Sequence, residues 1–347
     1  MSLAAEVQAV RTSIGMTDAD HLACVRVGGP AAHELLDRVS PRPLFVRASQ
    51  MLHGLLLADD ATPLADAYFC CDEEDYLVVT EGMTGAAAAA YLRNRASGLD
   101  VQLEDLSPSH AFVSLDGPYA WELVAALTSP DVIGMPYLSF FHDGPLICFR
   151  AGKTGEYGYD LLIPRERLDA TRARIRELGA ELALAPVTLA AIDVCMLEAG
   201  FFNARTQVRP GLTPLELQLQ WRVDKRRTFP GSEALAARRA ARTHRVALIA
   251  SEQVLAVDAP IELAGRAVGR VLDAAPSPTR GDALALALLE LPLGQAGLAG
   301  FSSGGVACHT ISAPAVNNRS LYVDPQRHAW ATRDAQTFPP LVRPWWS

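Results

Sequence analysis

Apolar positions recur along the chain with two different periods. They fall at Ala32, Leu35, Leu36 and Val39, and again at Ala120, Leu123, Val124 and Leu127. That i, i+3, i+4, i+7 spacing predicts two helices, each with one buried face. Each follows a short strand-like run, residues 23–27 and 111–115. The turns between read Val27-Gly28-Gly29-Pro30 and Leu115-Asp116-Gly117-Pro118, with proline expected in the first helical turn, where its missing N–H costs nothing. The second halves also match. Residues 76–79 lead into an alanine-rich helix beginning near Thr84; residues 159–163 lead into a helix over 164–178, with Gly179 as a left-handed stop.

Strand, helix, strands and helix, written twice, predict an α+β fold of two ferredoxin-like units related by duplication, with a pocket between them. Residues 1–100 form the first unit; residues 101–240 form the second together with an arginine-rich linker helix. From residue 244 the pattern changes to short β-type runs (246–250, 260–263, 267–272, 284–291) separated by turn clusters. That predicts a small antiparallel β-barrel over 241–316. The tail, 317–347, has little periodicity and is expected to wrap over the body.

Composition narrows the function. Half of the 347 residues are hydrophobic and 20% are charged, ample for a large core. Thirty-one Lys+Arg against 39 Asp+Glu give a formal charge of −8, which argues against a nucleic-acid backbone or an anionic membrane as partner. The N-terminus lacks the pattern of a signal peptide, and the apolar run 283–289 is too short to span a bilayer. A cytoplasmic protein is expected. Six cysteines lie scattered without metal-ligand spacing and read as reduced, buried thiols. His309 beside Cys308 has no third ligand, so no metal site is expected. The signatures of serine hydrolases, zincins, P-loops and dinucleotide folds are all missing.

Four segments carry a family resemblance. Residues 9–18 read AVRTSIGMTD, 153–160 read KTGEYGYD, and 193–200 read DVCMLEAG. The fourth runs from Thr213-Pro214-Leu215-Glu216 through Trp221 to Lys225-Arg226-Arg227 and Phe229-Pro230-Gly231. Together, over roughly residues 5–315, they resemble the glycine cleavage T-protein (aminomethyltransferase) family of folate-dependent one-carbon enzymes. The resemblance implies two ferredoxin-like units and a barrel around a central funnel, with tetrahydrofolate as cofactor.

It also implies site residues. Glu156 matches the glutamate that would accept the pterin's ring N–H and exocyclic amine together. Trp221 matches an aromatic packed near the folate, although the same residue reads equally well as core. Arg227, with Lys225 and Arg226, would meet the folate's carboxylates or simply form a solvated basic run. Thr80 stands where relatives end a strand in Asn. The catalytic Asp of that region falls at Ala87, and two family arginines fall at Ile192 and Met196. The chain also starts late, without the segment that lines the pocket in relatives. These departures disfavour a lipoyl carrier protein as partner and point to a small-molecule substrate. His21 and Asp18 then become the candidate catalytic pair, the histidine as general acid/base near neutrality. Asn203, Arg205 and Tyr157 are the candidate substrate contacts. Three functions stay open: a tetrahydrofolate-dependent methyl or methylene transferase or demethylase; the same scaffold turned to a folate-independent reaction in secondary metabolism; and a non-catalytic folate-binding or assembly factor. The first depends on Glu156 gripping the pterin in an open seam between the two units.

Overall fold

The two Gly-Pro turns fold alike. Strands Leu22–Gly28 and His110–Asp116 each run into a glycine of positive φ, Gly29 (+96°) and Gly117 (+147°), then into an eight-residue helix, Ala32–Val39 or Ala120–Leu127. A Cβ on Gly29 would lie 2.8 Å from the Asp100 carbonyl oxygen, and one on Gly117 2.2 Å from that of Ser13, so both turns require glycine. Ala31 and Tyr119 take the N-cap positions, which places Pro30 and Pro118 just outside the helices instead of in their first turns. The expected faces are buried, with Leu127 only partly so.

The computed structural model describes residues 1–342; the Trp345–Trp346 pair lies outside the described residues. The first sheet has the strand order Met51–Leu57, Pro63–Asp72, Asp75–Glu81, Leu22–Gly28, Gln102–Asp105. The second runs Leu184–Pro186, Ile14–Asp18, His110–Asp116, Gly158–Pro164, Leu146–Arg150, Ser139–Asp143, antiparallel apart from its first pair. A division at residue 100 therefore cuts both units. Ile14–Asp18 pairs with His110–Asp116, because Ile14 and Met16 bury in the second unit's core. Gln102–Asp105 still belongs to the first sheet. The helix expected to stop at Gly179 spans Leu168–Gly179 and then tightens through Ala180–Leu182. The left-handed residue is Ala183 (φ +53°); Gly179 is there because a Cβ would press to 2.6 Å from that of Leu184.

Six strands close the barrel in the order His244–Ser251, Asp282–Glu290, Arg266–Ser277, Pro260–Leu263, Phe301–Ser303, Val306–Ile311. Alternation points Ala247, Ile249, Ala285 and Ala287 inward, small enough for a narrow barrel, while Val246, Leu272 and Leu288 pack toward the body. The tail lies on the second unit, where Val323, Trp330 and Phe338 join its core. Among the described residues no helix is long and apolar enough to cross a membrane.

The two large sheets face each other. Cys24, Met51, Cys70, Leu77 and Val79 of the first interlock with Phe112, Phe140, Ile147, Phe149 and Leu162 of the second. Most of the seam is thus dry packing. Only one end is polar.

Candidate functional site

Strand alternation builds that polar end. Ser114 and Asp116 follow Phe112 on the seam face, and Asp160 stands opposite Ser114 across the ladder. From the first sheet, Asp66 pairs with Glu81 in the register that also points Tyr68 and Val79 inward. Lys153 reaches across from the loop after strand Leu146–Arg150. Its ammonium donates to Asp66 (2.9 Å) and to Glu81. Asp66, 1% exposed, is also held by His53 Nε2 and Arg222, each at 2.7 Å. Glu81 accepts from Arg205 Nε (2.8 Å), and Arg205 also holds Asp193. Alternating charges therefore cross the whole seam, from Arg222 to Asp193.

The electrostatics divide this end in two. Burial raises the Asp66 carboxyl, but His53, Lys153 and Arg222 overcome it and hold it well below the carboxylate range. Burial lowers Lys153, with Asp66 opposing. On the facing sheet, burial and the nearby Asp160 push Asp116 up to about 7, and burial pushes Asp160 up to about 6 against its Ser114 hydrogen bond (2.5 Å). Beside these groups the Thr17 hydroxyl is buried without a hydrogen-bond partner. The cavity they enclose measures about 40 Å³ and is also lined by Ile192 and Met196.

Two larger spaces flank it. A cleft of about 780 Å³ opens where the two units meet the barrel, walled by Phe201, Phe202, Tyr137 and Trp221, with Arg42, Arg222 and Arg245 in its lining. Among the described residues no carboxylate lines it. A pocket of about 400 Å³ lies on the other side, bordered by Asp20, His21, Gly85, His110, Arg165 and Arg205.

The expected site residues are dispersed among these places. Glu156 is buried but turned away from all three spaces. It accepts from Arg11 (3.3 Å), from the backbone N–H groups of Arg319 (3.1 Å) and Ser320 (2.8 Å), and from the Ser320 hydroxyl (2.7 Å). Its oxygens are occupied by the chain itself, and the seam is mostly packed. The expected grip of Glu156 on a pterin in an open seam is therefore not what these contacts form, and a folate reading has to rest on the cleft instead. His21 borders both the 400 Å³ pocket and the seam cavity. Burial, then Arg205 and Lys153, depress it to about 3, so it is neutral at physiological pH and not poised near neutrality. Asp18 lies apart, paired with Arg172 (2.6 Å) beside a different hollow. Thr80 borders the seam cavity, but alternation puts its side chain on the helix-covered face with Val78. Trp221, 61% exposed, stands at the cleft with the Arg222 guanidinium 4.8 Å from its ring centre. Arg227 is bound to Asp37 (2.7 Å). Tyr157 donates to the Val323 carbonyl (2.8 Å) under the tail. Asn203 donates to Asp193 (2.9 Å) and so braces Arg205. Ala87 is exposed on helix Gly85–Arg95, its N–H donated to the Thr84 hydroxyl (3.2 Å).

Lys153, Asp66, His53, Arg222 and Asp160 carry the polar architecture and were not singled out from the sequence. A signal existed for three of them. Asp66 interrupts an otherwise apolar strand, and Lys153 and Asp160 flank Glu156 within one motif.

Comparison with known proteins gives a consistent answer. The family model described as the GCVT N-terminal domain matches residues 1–227. An aminomethyltransferase of Saccharopolyspora erythraea is 30% identical over 307 residues, covering 83% of this chain and 82% of that one. An aminomethyltransferase of Thermus thermophilus is 30% identical over 295 residues, 83% of each. Among solved structures, the glycine cleavage system aminomethyltransferase T from Bartonella henselae superposes with a TM-score of 0.81 at 23% identity, covering 91% of this chain and 90% of that one, which shows the shared fold. The chain belongs to the GCVT family.

Proposed function

We propose that the protein is a tetrahydrofolate-dependent one-carbon transferase acting on a small molecule, with folate in the three-sided cleft and the small molecule in the 400 Å³ pocket opposite. The observation that carries the reading is the cleft's lining. Its volume suits a drug-sized ligand, its walls are aromatic and apolar, and among the described residues its only formal charges are arginines. The buried Nε atoms of Arg222 and Arg245 have no hydrogen-bond partner, and the Arg42 guanidinium has none among the described residues. A folate presents a flat ring system and terminal carboxylates, which this donor set fits. Trp221 would pack on the aromatic portion, and Arg42 and Arg245 would meet the carboxylates.

Bound tetrahydrofolate supplies carriage of the one-carbon unit. This chain's own residues bind, orient and exclude water. The neutral imidazole of His21 borders the pocket and would help orient the small molecule there. Arg205, fixed by Glu81 and Asp193, makes a rigid wall for the same pocket. Nothing acidic stands at position 87, so the reading favours a free small molecule over a lipoyl carrier.

Equilibrium dialysis against tetrahydrofolate tests the proposal. Saturable binding is expected, with Trp221→Ala weakening it at least tenfold. Folded protein that binds nothing at millimolar ligand overturns it. The occupied oxygens of Glu156 and the 40 Å³ seam favour the second reading, a folate-independent use of the scaffold, in that event.

A further inference from the structure

We propose that Lys153 closes the seam and is the residue that confines a ligand's ring system to the cleft. The inference rests on the cleft reading above. The wall between the two spaces is thin. His53 and Tyr137 line the cleft, while Tyr68, Gly152 and Lys153 line the seam cavity behind them. Tyr68 stacks on His53 with ring centres 4.4 Å apart, and the Tyr137 hydroxyl donates to the Gly152 carbonyl (3.3 Å). Behind that wall about 40 Å³ remains, space for a few waters at most and not for a bicyclic ring.

The seam is nevertheless chemically ready for a polar ring edge. Asp160, Asp116 and Ser114 crowd one side, and the Thr17 hydroxyl, 3% exposed, has no partner. What is missing is room. The Lys153 side chain lines the cavity and reaches from the second unit to Asp66 and Glu81 of the first, so its arm is the cross-seam group whose removal would enlarge the space. Those carboxylates do not depend on it for compensation. Asp66 keeps His53 and Arg222, and Glu81 keeps Arg205. Shortening Lys153 therefore opens the seam without leaving either acid unpaired.

The test uses the full chain carrying Thr17→Cys, a change of similar size at a hydroxyl that makes no hydrogen bond. Methyl methanethiosulfonate labelling is followed by intact mass against protein without that cysteine. With Lys153→Ala added, the labelling rate should rise at least tenfold. Lys153→Met, which keeps the volume and loses the charge, should leave the rate within a factor of three. Equal rates in all three overturn the closure. Protection of Thr17→Cys by tetrahydrofolate in the Lys153 protein also overturns it, because the ring would then occupy the seam. A faster rate in Lys153→Ala together with no folate binding by any variant supports the closure and overturns the folate reading instead.

Discussion

Lys153 and Glu156 leave the same loop three residues apart and end in opposite kinds of surroundings. Glu156 joins a knot in which Arg11, at the end of the N-terminal helix Leu3–Thr12, bonds Glu156, Glu198 and the carbonyls of Thr154 and Cys195. Glu198 in turn accepts from Ser277 and Thr279 of the barrel. The N-terminal helix, the second unit, the barrel and the tail all meet there, and every charged atom is answered. Lys153 joins a line of charges that borders empty space and faces an unpartnered hydroxyl. Glu156 is buried, Lys153 is largely so, and both are ion-paired. Burial alone does not mark a binding group; unmet hydrogen-bonding capacity beside a cavity does.

The sharpest way to break the comparison is at the knot. Arg11→Met strands two buried carboxylates and should cost about 3–5 kcal/mol in urea denaturation. Lys153→Met should cost about 1–3 kcal/mol, because each of its acids keeps a cation. If the two losses were equal, the distinction between a structural knot and an adaptable bridge would fail.

A second test separates the two sides of the seam by pH. Asp116 and Asp160 are raised to about 7 and about 6, so the folded chain holds their protons where the unfolded chain has released them. Their contribution is greatest below about pH 4 and is lost as pH rises toward 7, on the order of 3–4 kcal/mol for each group across that window. Asp116→Asn mimics the protonated acid and removes a charge that Asp160 opposes. It should flatten the fall of Tm between pH 4 and 7 and raise Tm at pH 7.5. An unchanged slope would mean that solvent reaches these carboxyls.

How much of this was legible beforehand follows from distance along the chain. The repeat was legible because its signals are local: two glycines, two prolines and a helical period within twenty residues. The barrel was legible for the same reason. Membership of Ile14–Asp18 in the second sheet was not, since its partner strand lies about a hundred residues later. The direction of Glu156 was decided by Arg11, 145 residues earlier, and by Ser320, 164 residues later. No local pattern encodes such partners. Asp160 stood four positions from Glu156 in the same motif, and only the strand register shows that it, and not Glu156, faces the seam. The separation of His21 from Asp18 is of the same kind. Three residues apart, they straddle the turn at the end of strand Ile14–Asp18 and face different cavities.

That last separation yields the smallest expected effect and the most specific one. Asp18 is half exposed, and its partner Arg172 also pairs weakly with Asp169. An exposed pair of this kind is worth about 0–1 kcal/mol, so Asp18→Asn should barely move the denaturation midpoint. It should also leave tetrahydrofolate binding unchanged, because Asp18 lines neither the cleft nor the 400 Å³ pocket. His21→Asn, at the pocket's inner border, should instead weaken capture of the small molecule while sparing folate. If Asp18→Asn alone reduced ligand binding tenfold, the hollow of about 340 Å³ that it shares with Arg176 would have to be part of the site, and the division of labour between cleft and pocket would need redrawing.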